Sequence, residues 1–360
     1  MSKKLDTYIW GAGHCGENVA LYYIKKPDVN IAGFIDSNEV LWNTQKLGLT
    51  IYSPKEILQK QNIRILIAVV NKEAIKEISE ICENANVENI ILPGSNLMLC
   101  KEIDERIKIT GKRILEIGCG NGDLLKYIAM NNNPEYIIGI DMSLSEWWGV
   151  GESSGVNWEV RDGNAEELSF ADESFDAVIS IATFEHIYDV EKCLREIKRV
   201  LKPSGNFFTI FSPIWTSVTG HHFIASGEKT WNKRHLELIP PWGHLYMDKQ
   251  QMFEYLKNLI DRERRDVSSE LLDNIIQFIY HSKIINRRSR KYLMNTIMNC
   301  GMIIREYREN VGFNRFAMLG ENGKSELTDY ILEKIIAAGY DVIDLGVVGM
   351  TVCLEKYPAI

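Results

Sequence analysis

The stretch RILEIGCGNGDLLKYIAM, residues 113–130, decides the fold. Its first five residues, Arg113 to Ile117, form an apolar run of strand length. Gly118, Gly120 and Gly122 follow at alternate positions, and DLLKYIAM then has the spacing of an amphipathic helix. Strand, glycine turn and helix together bring backbone close to a ligand, because glycine has no Cβ and tolerates positive φ. A glycine turn alone names no ligand, so the next hundred residues carry the decision.

Those residues continue a regular pattern. YIIGID is a second strand ending in Asp141, VNWEVRD a third ending in Asp162, and FDAVISI a fourth. Leu194, Ile197 and Val200 recur at helical spacing in a helix predicted over Val190 to Val200. Pro203 and Gly205 mark its stop, and FFTIFS is a fifth strand. Alternating β and α elements imply a parallel sheet with helices on its faces. Such sheets bind ligands beyond the carboxyl ends of their strands, so the glycine turn, Asp141 and Asp162 converge. A carboxylate at Asp141 can accept from both hydroxyls of a ribose, and Met142 beside it can lie on a purine. Asp162, with Gly163 and Asn164, can meet an adenine amino group. Taken singly, each acid is as readily a helix cap; their placement at successive strand ends makes a nucleotide-type site the better reading.

Residues 113–211 resemble a class I S-adenosylmethionine-dependent methyltransferase of the type 11, small-molecule kind. The motifs that carry this are LEIGCGNG, IGIDMS, DGNAEELSFADESFDAVIS, FEHI and LREIKRVLKPSG. The resemblance implies S-adenosylmethionine as cofactor. It places Glu116, Gly118, Cys119, Gly120 and Gly122 at the methionine part, Asp141 at the ribose, and Asp162, Gly163 and Asn164 at the adenine, with Met142 on the purine. The sulfonium methyl would be attacked in line by an acceptor atom. The departing thioether is neutral, so positioning and water exclusion supply most of the rate. A hydroxyl acceptor gains from a base, and His186 or Glu185, in ATFEHIYD, is placed to serve. Either residue is as readily structural.

The first region, to about Gly94, repeats the βα logic. TYIW leads into GAGHCG, which gives Gly11, Gly13 and Gly16 in a GxGxxG between strand and helix. Asp36 closes the next strand 36 − 16 = 20 residues on, where a ribose-binding acid sits in dinucleotide enzymes. With GFIDS and GLTIYSP, the region resembles the nucleotide-sugar-binding domain of bacterial sugar acyltransferases. It is either a nucleotide-sugar site or an assembly module that binds nothing. An NAD-dependent oxidoreductase is the competing enzyme class, disfavoured because no Tyr-x-x-x-Lys accompanies this loop. A non-enzymatic scaffold would show a damaged donor site, and this one reads as intact.

These readings give an α/β chain with two Rossmann-like modules. Residues 1–95 form the first, 96–110 a linker, and 111–360 a seven-stranded methyltransferase sheet. That sheet ends in an antiparallel hairpin drawn from ELTDYILEKIIAAGYDVIDLGVVGMTVCLEK. Residues 214–324 interrupt it as a partly helical lid over the acceptor. They carry His221, His222, His235 and His244 with Trp215, Trp231 and Trp242. Of these, His221, His222, Trp242 and His244 are candidate acceptor contacts. No carboxylate lies near His221 and His222 in sequence, so no metal is expected. Helices around Gln251 to Ile260 and Leu271 to Ile279 read as lid core or homodimer contact.

Composition narrows the partners. Forty-one Lys and Arg against 49 Asp and Glu give a net charge of −8, which disfavours nucleic acid. The basic runs RERR (262–265) and RRSRK (287–291) read as solvated helix faces. Seven dispersed cysteines without CxxC fit reduced thiols in a cytoplasmic protein. The sequence predicts no signal peptide and no membrane span. A small polar acceptor, a sugar or nucleotide-linked sugar hydroxyl of surface-polysaccharide assembly, fits both modules together.

Overall fold

The computed structural model describes residues 5–24, 29–69, 72–91, 94–142, 149–153, 155–223, 238–263, 269–311 and 329–359. The chain divides into two compact units, Met1–Glu105 and Arg106–Ile360. The expected linker is largely helix: Gly94–Ile107 is one α-helix running across that division.

The first unit is built on a sheet of six strands, β1 (Asp6–Trp10), β2 (Asn30–Ile35), β3 (Gln45–Lys46), β4 (Leu49–Tyr52), β5 (Ile63–Ile67) and β6 (Glu88–Ile91), in the order β3-β4-β2-β1-β5-β6. All neighbours are parallel except the short β3–β4 pair. That pair forms one edge of the sheet. At the end of GLTIYSP, Ser53 caps Glu56 N–H at 3.3 Å and Pro54 opens a helical turn. Gly16 packs against the turn so closely that a Cβ there would lie 1.8 Å from the Gly11 carbonyl oxygen.

The second unit holds eight strands: β7 (Arg113–Ile117), β8 (Tyr136–Asp141), β9 (Gly149–Ser153), β10 (Val156–Asp162), β11 (Phe175–Ile181), β12 (Leu201–Phe211), β13 (Ile303–Val311) and β14 (Val347–Glu355). Their order is β13-β14-β12-β11-β7-β8-β10-β9. β7, β8, β10, β11 and β12 are parallel, as the alternation requires. Two corrections follow. β9 adds an eighth, antiparallel edge strand beside β10. The antiparallel pair β13–β14 draws its first strand from the supposed lid, not from DVIDL. Val342–Gly346 is instead a short 3₁₀ helix, because Asp341 accepts from Ile343 N–H at 3.1 Å and caps it.

Helix Val190–Val200 shows how packing follows sequence. Val190, Cys193, Leu194, Ile197 and Val200 form one buried stripe, and Asp189 caps Lys192 N–H at 2.9 Å. Near its end Arg199 donates to the Leu168 and Phe170 carbonyls at 2.8 and 2.7 Å, and to the Glu196 carboxylate at 2.8 Å. The guanidinium thus ties the helix to the loop that follows β10. Arg199→Ala is expected to cost about 1–2 kcal/mol of stability in urea melts at neutral pH. Hydrogen bonding to Arg199 holds the Glu196 carboxyl below its ordinary range. That contribution is full above the unfolded carboxylate pKa and is lost as pH falls through the lowered folded value. The gap between variant and wild type is therefore expected to narrow in acid.

The insertion builds its own small core from Phe223, Leu238, Ile239, Met252, Leu256 and Ile275, among others. Helices Lys249–Glu263 and Ser269–Tyr280 supply most of it. RRSRK is only partly a solvated face: Arg287 and Lys291 are exposed, whereas Arg288 and Arg290 are half-buried. Arg290 pairs with Glu309 at 2.7 Å and Asp344 at 3.3 Å, and Arg287 donates to the Ile279 carbonyl at 2.8 Å. All seven cysteines are free thiols. Among the described residues, no helix is long and apolar enough to cross a membrane.

Candidate active site

The sheet order brings three carboxyl ends side by side: β7, β8 and β10. Asp141 and Asp162 sit at the last paired register of β8 and β10, directly opposite one another. The glycine turn after β7 folds over this edge. Gly118, Gly120 and Gly122 all have positive φ, at 73°, 52° and 77°. Gly118 and Cys119 donate to the Ile140 carbonyl at 2.8 and 3.1 Å, which seats the turn on β8. Gly120 N–H donates to the Asp141 carboxylate at 2.9 Å.

The glycines do different things. A Cβ at Gly118 would lie 2.0 Å from Thr183 Oγ1, and one at Gly122 2.6 Å from Val160 Cγ2. Those two let the turn press against its neighbours. A Cβ at Gly120 would meet nothing within 4 Å, so the turn is open there. The Cys119 side chain points inward, packing where a Cβ on Gly139 would lie 2.6 Å from it. Burial pushes its thiol well up.

Glu116 lies at the root of the turn. Its side chain is 3% exposed, and Oε2 has no hydrogen-bond partner among the described residues. Burial, with Asp123 and Asp141 nearby, pushes its carboxyl up to about 8. A buried carboxyl oxygen without a partner is costly unless a ligand completes it. Gly163 N–H donates to the Asp141 carbonyl at 3.1 Å. The Asn164 side chain is used locally, accepting from Glu166 N–H at 2.9 Å. Met142 is 73% exposed beside the Asp141 edge, and residues 143–148, which follow it, lie outside the described residues.

The turn after β11 carries Glu185 and His186. Thr183 sits against Gly118, so this turn abuts the glycine loop. A strap at 284–288 holds it: Asn286 donates through Nδ2 to the Phe184 and Ile187 carbonyls at 2.7 and 2.9 Å. His186 Nδ1 meets the Ile284 carbonyl at 2.8 Å. Glu185 is buried, and desolvation pushes its carboxyl up to about 8. His222 comes from the turn after β12, and its ring centroid lies 5.3 Å from that of His186.

The other histidines go elsewhere. His221 and His244 stack edge to face at 5.2 Å, and His244 meets the Trp215 ring at 4.7 Å. His244 Nε2 donates to the Trp215 carbonyl at 2.8 Å, and His221 Nδ1 accepts from Phe223 N–H at 3.0 Å. Burial holds His221 well below its ordinary range and His244 down to about 4. Trp242 is buried in the same aromatic cluster. Of the four residues read as acceptor contacts, His221, His244 and Trp242 are buried, and His222 has a ring nitrogen within 4.8 Å of ligand atoms of Glu185 and His186. His235 and Trp231 lie outside the described residues. Sequence reading missed Asn286, whose role depends on a contact a hundred residues away.

The first unit repeats the loop geometry of the second. Ala12 N–H, inside GAGHCG, donates to Asp36 Oδ2 at 2.8 Å, as Gly120 N–H does to Asp141. Gly11 has φ 111°, and a Cβ there would meet the Ala68 carbonyl at 2.8 Å. Gly13 has nothing within 4 Å of a Cβ position. Lys46 Nζ reaches the Ala12 carbonyl at 2.6 Å and Glu17 at 3.3 Å.

Residues 115–209 match the methyltransferase domain family model. The match covers the glycine turn, both strand-end acids and the Glu185–His186 turn of this domain. Residues 3–91 match a second family model, described as C2185-like, N-terminal. The chain is 38% identical over 110 residues to a ubiquinone biosynthesis O-methyltransferase of Hahella chejuensis, covering 29% of this chain and 45% of that one. It is 34% identical over 183 residues to a fatty-acid O-methyltransferase of Mycolicibacterium smegmatis, covering 47% and 60%. The chain thus spans about half the length of these curated relatives. Among solved structures, a SAM-dependent methyltransferase from Methanosarcina mazei is similar with a TM-score of 0.40 at 17% identity, covering 72% of this chain and 98% of that one.

Proposed function

We propose that this chain is an S-adenosylmethionine-dependent O-methyltransferase acting on a small molecule. One observation carries the reading: an open glycine turn, a buried Glu116 carboxyl with one oxygen unpartnered among the described residues, and Asp141 facing Asp162 meet at adjacent strand ends. The methyltransferase-domain match over 115–209 supports it. Glu116 and the turn from Gly118 to Gly122 would hold the methionine part. Asp141 would accept from the ribose, with Asp162 and Gly163 at the base. His186 or Glu185 would take the proton of an acceptor hydroxyl.

The acceptor follows less directly. A sugar or nucleotide-linked sugar is supported by the first unit, whose Gly11, Gly13 and Gly16 turn keeps the clamp to Asp36. The relatives named for ubiquinone biosynthesis and for a fatty acid point to other oxygen acceptors, a carboxylate oxygen in the case of a fatty acid. The test is transfer of a radiolabelled methyl group from S-adenosylmethionine to a panel holding a nucleotide sugar, a phenol and a fatty acid. Labelled product from any member supports O-methyl transfer, and the nucleotide sugar alone supports the narrower reading. No label on any of them counts against the proposed acceptor classes.

Glu116 makes a pH prediction. Raised to about 8 by burial, it is mostly protonated at pH 7. A cationic ammonium beside it favours the ionised form, so ligand binding releases a proton. S-adenosylhomocysteine affinity is therefore expected to rise from pH 6 to 8 and then level off. Calorimetry at pH 7 in buffers of different ionisation enthalpy should show that release, and Glu116→Gln should remove it.

A further inference from the structure

We propose that Glu185, His186 and His222 hold a first-row divalent cation, such as Mn²⁺, Fe²⁺, Co²⁺ or Zn²⁺. The inference goes beyond methyl transfer and does not depend on it. One ligand atom from each side chain lies within 4.8 Å of the other two. Ligand atoms about 2.1 Å from a common tetrahedral ion sit about 3.4 Å apart. The trio therefore needs to tighten by no more than about 1.4 Å, within the reach of side-chain rotation.

The hydrogen bonds have prepared the right atoms. His186 Nδ1 meets the Ile284 carbonyl at 2.8 Å, and His222 Nδ1 meets the Gly220 carbonyl at 2.9 Å. A carbonyl only accepts, so each Nδ1 carries the hydrogen and each Nε2 keeps a lone pair. Metal-binding histidines are oriented in this way, with the second nitrogen donating to a backbone carbonyl. Glu185 Oε2 and His222 Nε2 are both buried and have no hydrogen-bond partner among the described residues. Two imidazole lone pairs and a carboxyl oxygen converge, and an ion would satisfy them as Glu185 gives up its proton on binding.

His222 adds an independent sign. Its φ of 55° lies in the left-handed region, at a cost of about 1–3 kcal/mol for a residue with a side chain. A purely structural position would favour glycine there. Two histidines and one carboxylate leave further positions open on the ion. The trio stands beside the glycine turn, through Thr183 against Gly118. An oxygen of the acceptor can fill one of those positions, and the ion would lower the pKa of a bound hydroxyl.

The test uses full-length protein stripped with a chelator and titrated with Mn²⁺ and Co²⁺ without methyl donor. One ion per chain is expected, with Co²⁺ giving visible absorption bands. His222→Gly removes a ligand and relieves the backbone. It is expected to weaken Mn²⁺ at least about tenfold with the melting temperature unchanged or raised. Glu185→Gln should weaken it likewise. The idea is overturned if wild type binds neither ion below millimolar concentration, or if both variants bind as wild type does. Donor binding is read separately with S-adenosylhomocysteine, so failure of the methyltransferase reading leaves this result standing.

Discussion

Gly118→Ala is expected to cost the second unit stability and to abolish binding of S-adenosylhomocysteine. Two separate penalties add. Gly118 has φ 73°, where an alanine is strained by about 1–2 kcal/mol. Its new Cβ would also lie 2.0 Å from Thr183 Oγ1 and 2.5 Å from Cγ2. Neither atom can yield freely, because Oγ1 donates to the Ile181 carbonyl at 3.0 Å and fixes the rotamer. Overpacking of this kind costs about 1–3 kcal/mol. The total, about 2–5 kcal/mol, should lower the melting temperature by roughly 5–15 °C for a unit of this size. The double variant Gly118→Ala/Thr183→Ala removes the two closest atoms. It is expected to recover only part of the steric penalty, because Thr183 Cβ would still lie 2.8 Å from the new Cβ, and none of the φ part. Equal losses in the single and double variants would show that Thr183 is not what limits the turn.

Asp141→Ala makes the opposite prediction: little change in stability and a large change in binding. The carboxylate sits at a strand end and accepts from Gly120 N–H at 2.9 Å. If it also accepts two ribose hydroxyls, its removal costs two charge-assisted hydrogen bonds of about 1.5–3 kcal/mol each. The affinity for S-adenosylhomocysteine should fall by at least about 100-fold. Asp141→Asn keeps one acceptor oxygen and should fall less. Circular dichroism and the melting curve of the unliganded variants should stay close to wild type. A variant that melts early would mean that Asp141 mainly holds the turn.

Much of the second unit was legible because its signals are local. The RILEI strand, the three glycines and the apolar stripe of Val190–Val200 fall within a few residues of one another. Asp141 and Asp162 were readable as a pair because parallel strands end on the same edge. What escaped depends on distance along the chain. IIREYRENV lacks a two-residue alternation, since β13 is an edge strand whose charges are paired. Arg305 bonds Glu355 at 2.7 Å and Glu306 bonds Arg106 at 2.6 Å. DVIDL looked like a strand because it is short and holds two β-branched residues, yet Val342 and Ile343 are both exposed and Asp341 turns the chain. RRSRK looked solvated because the sequence does not show that Glu309 and Asp344 would meet Arg290.

The Glu185–His186–His222 cluster escaped for the same reason. His222 follows β12, Glu185 and His186 follow β11, and the two strands are neighbours. A search for ligands close in sequence finds His221 and His222 without a carboxylate. The sheet supplies the carboxylate, and it separates the two adjacent imidazoles. His221 goes to the aromatic cluster and His222 to the site.

The central claim is that the turn at 118–122 holds a methyl donor. Calorimetric titration of the full chain with S-adenosylhomocysteine at pH 8 tests it most directly. One molecule bound per chain, lost in Asp141→Ala and kept in a variant of the first glycine turn such as Asp36→Ala, is the predicted result. No binding to wild type, or binding that Asp36→Ala removes and Asp141→Ala leaves intact, would contradict the account.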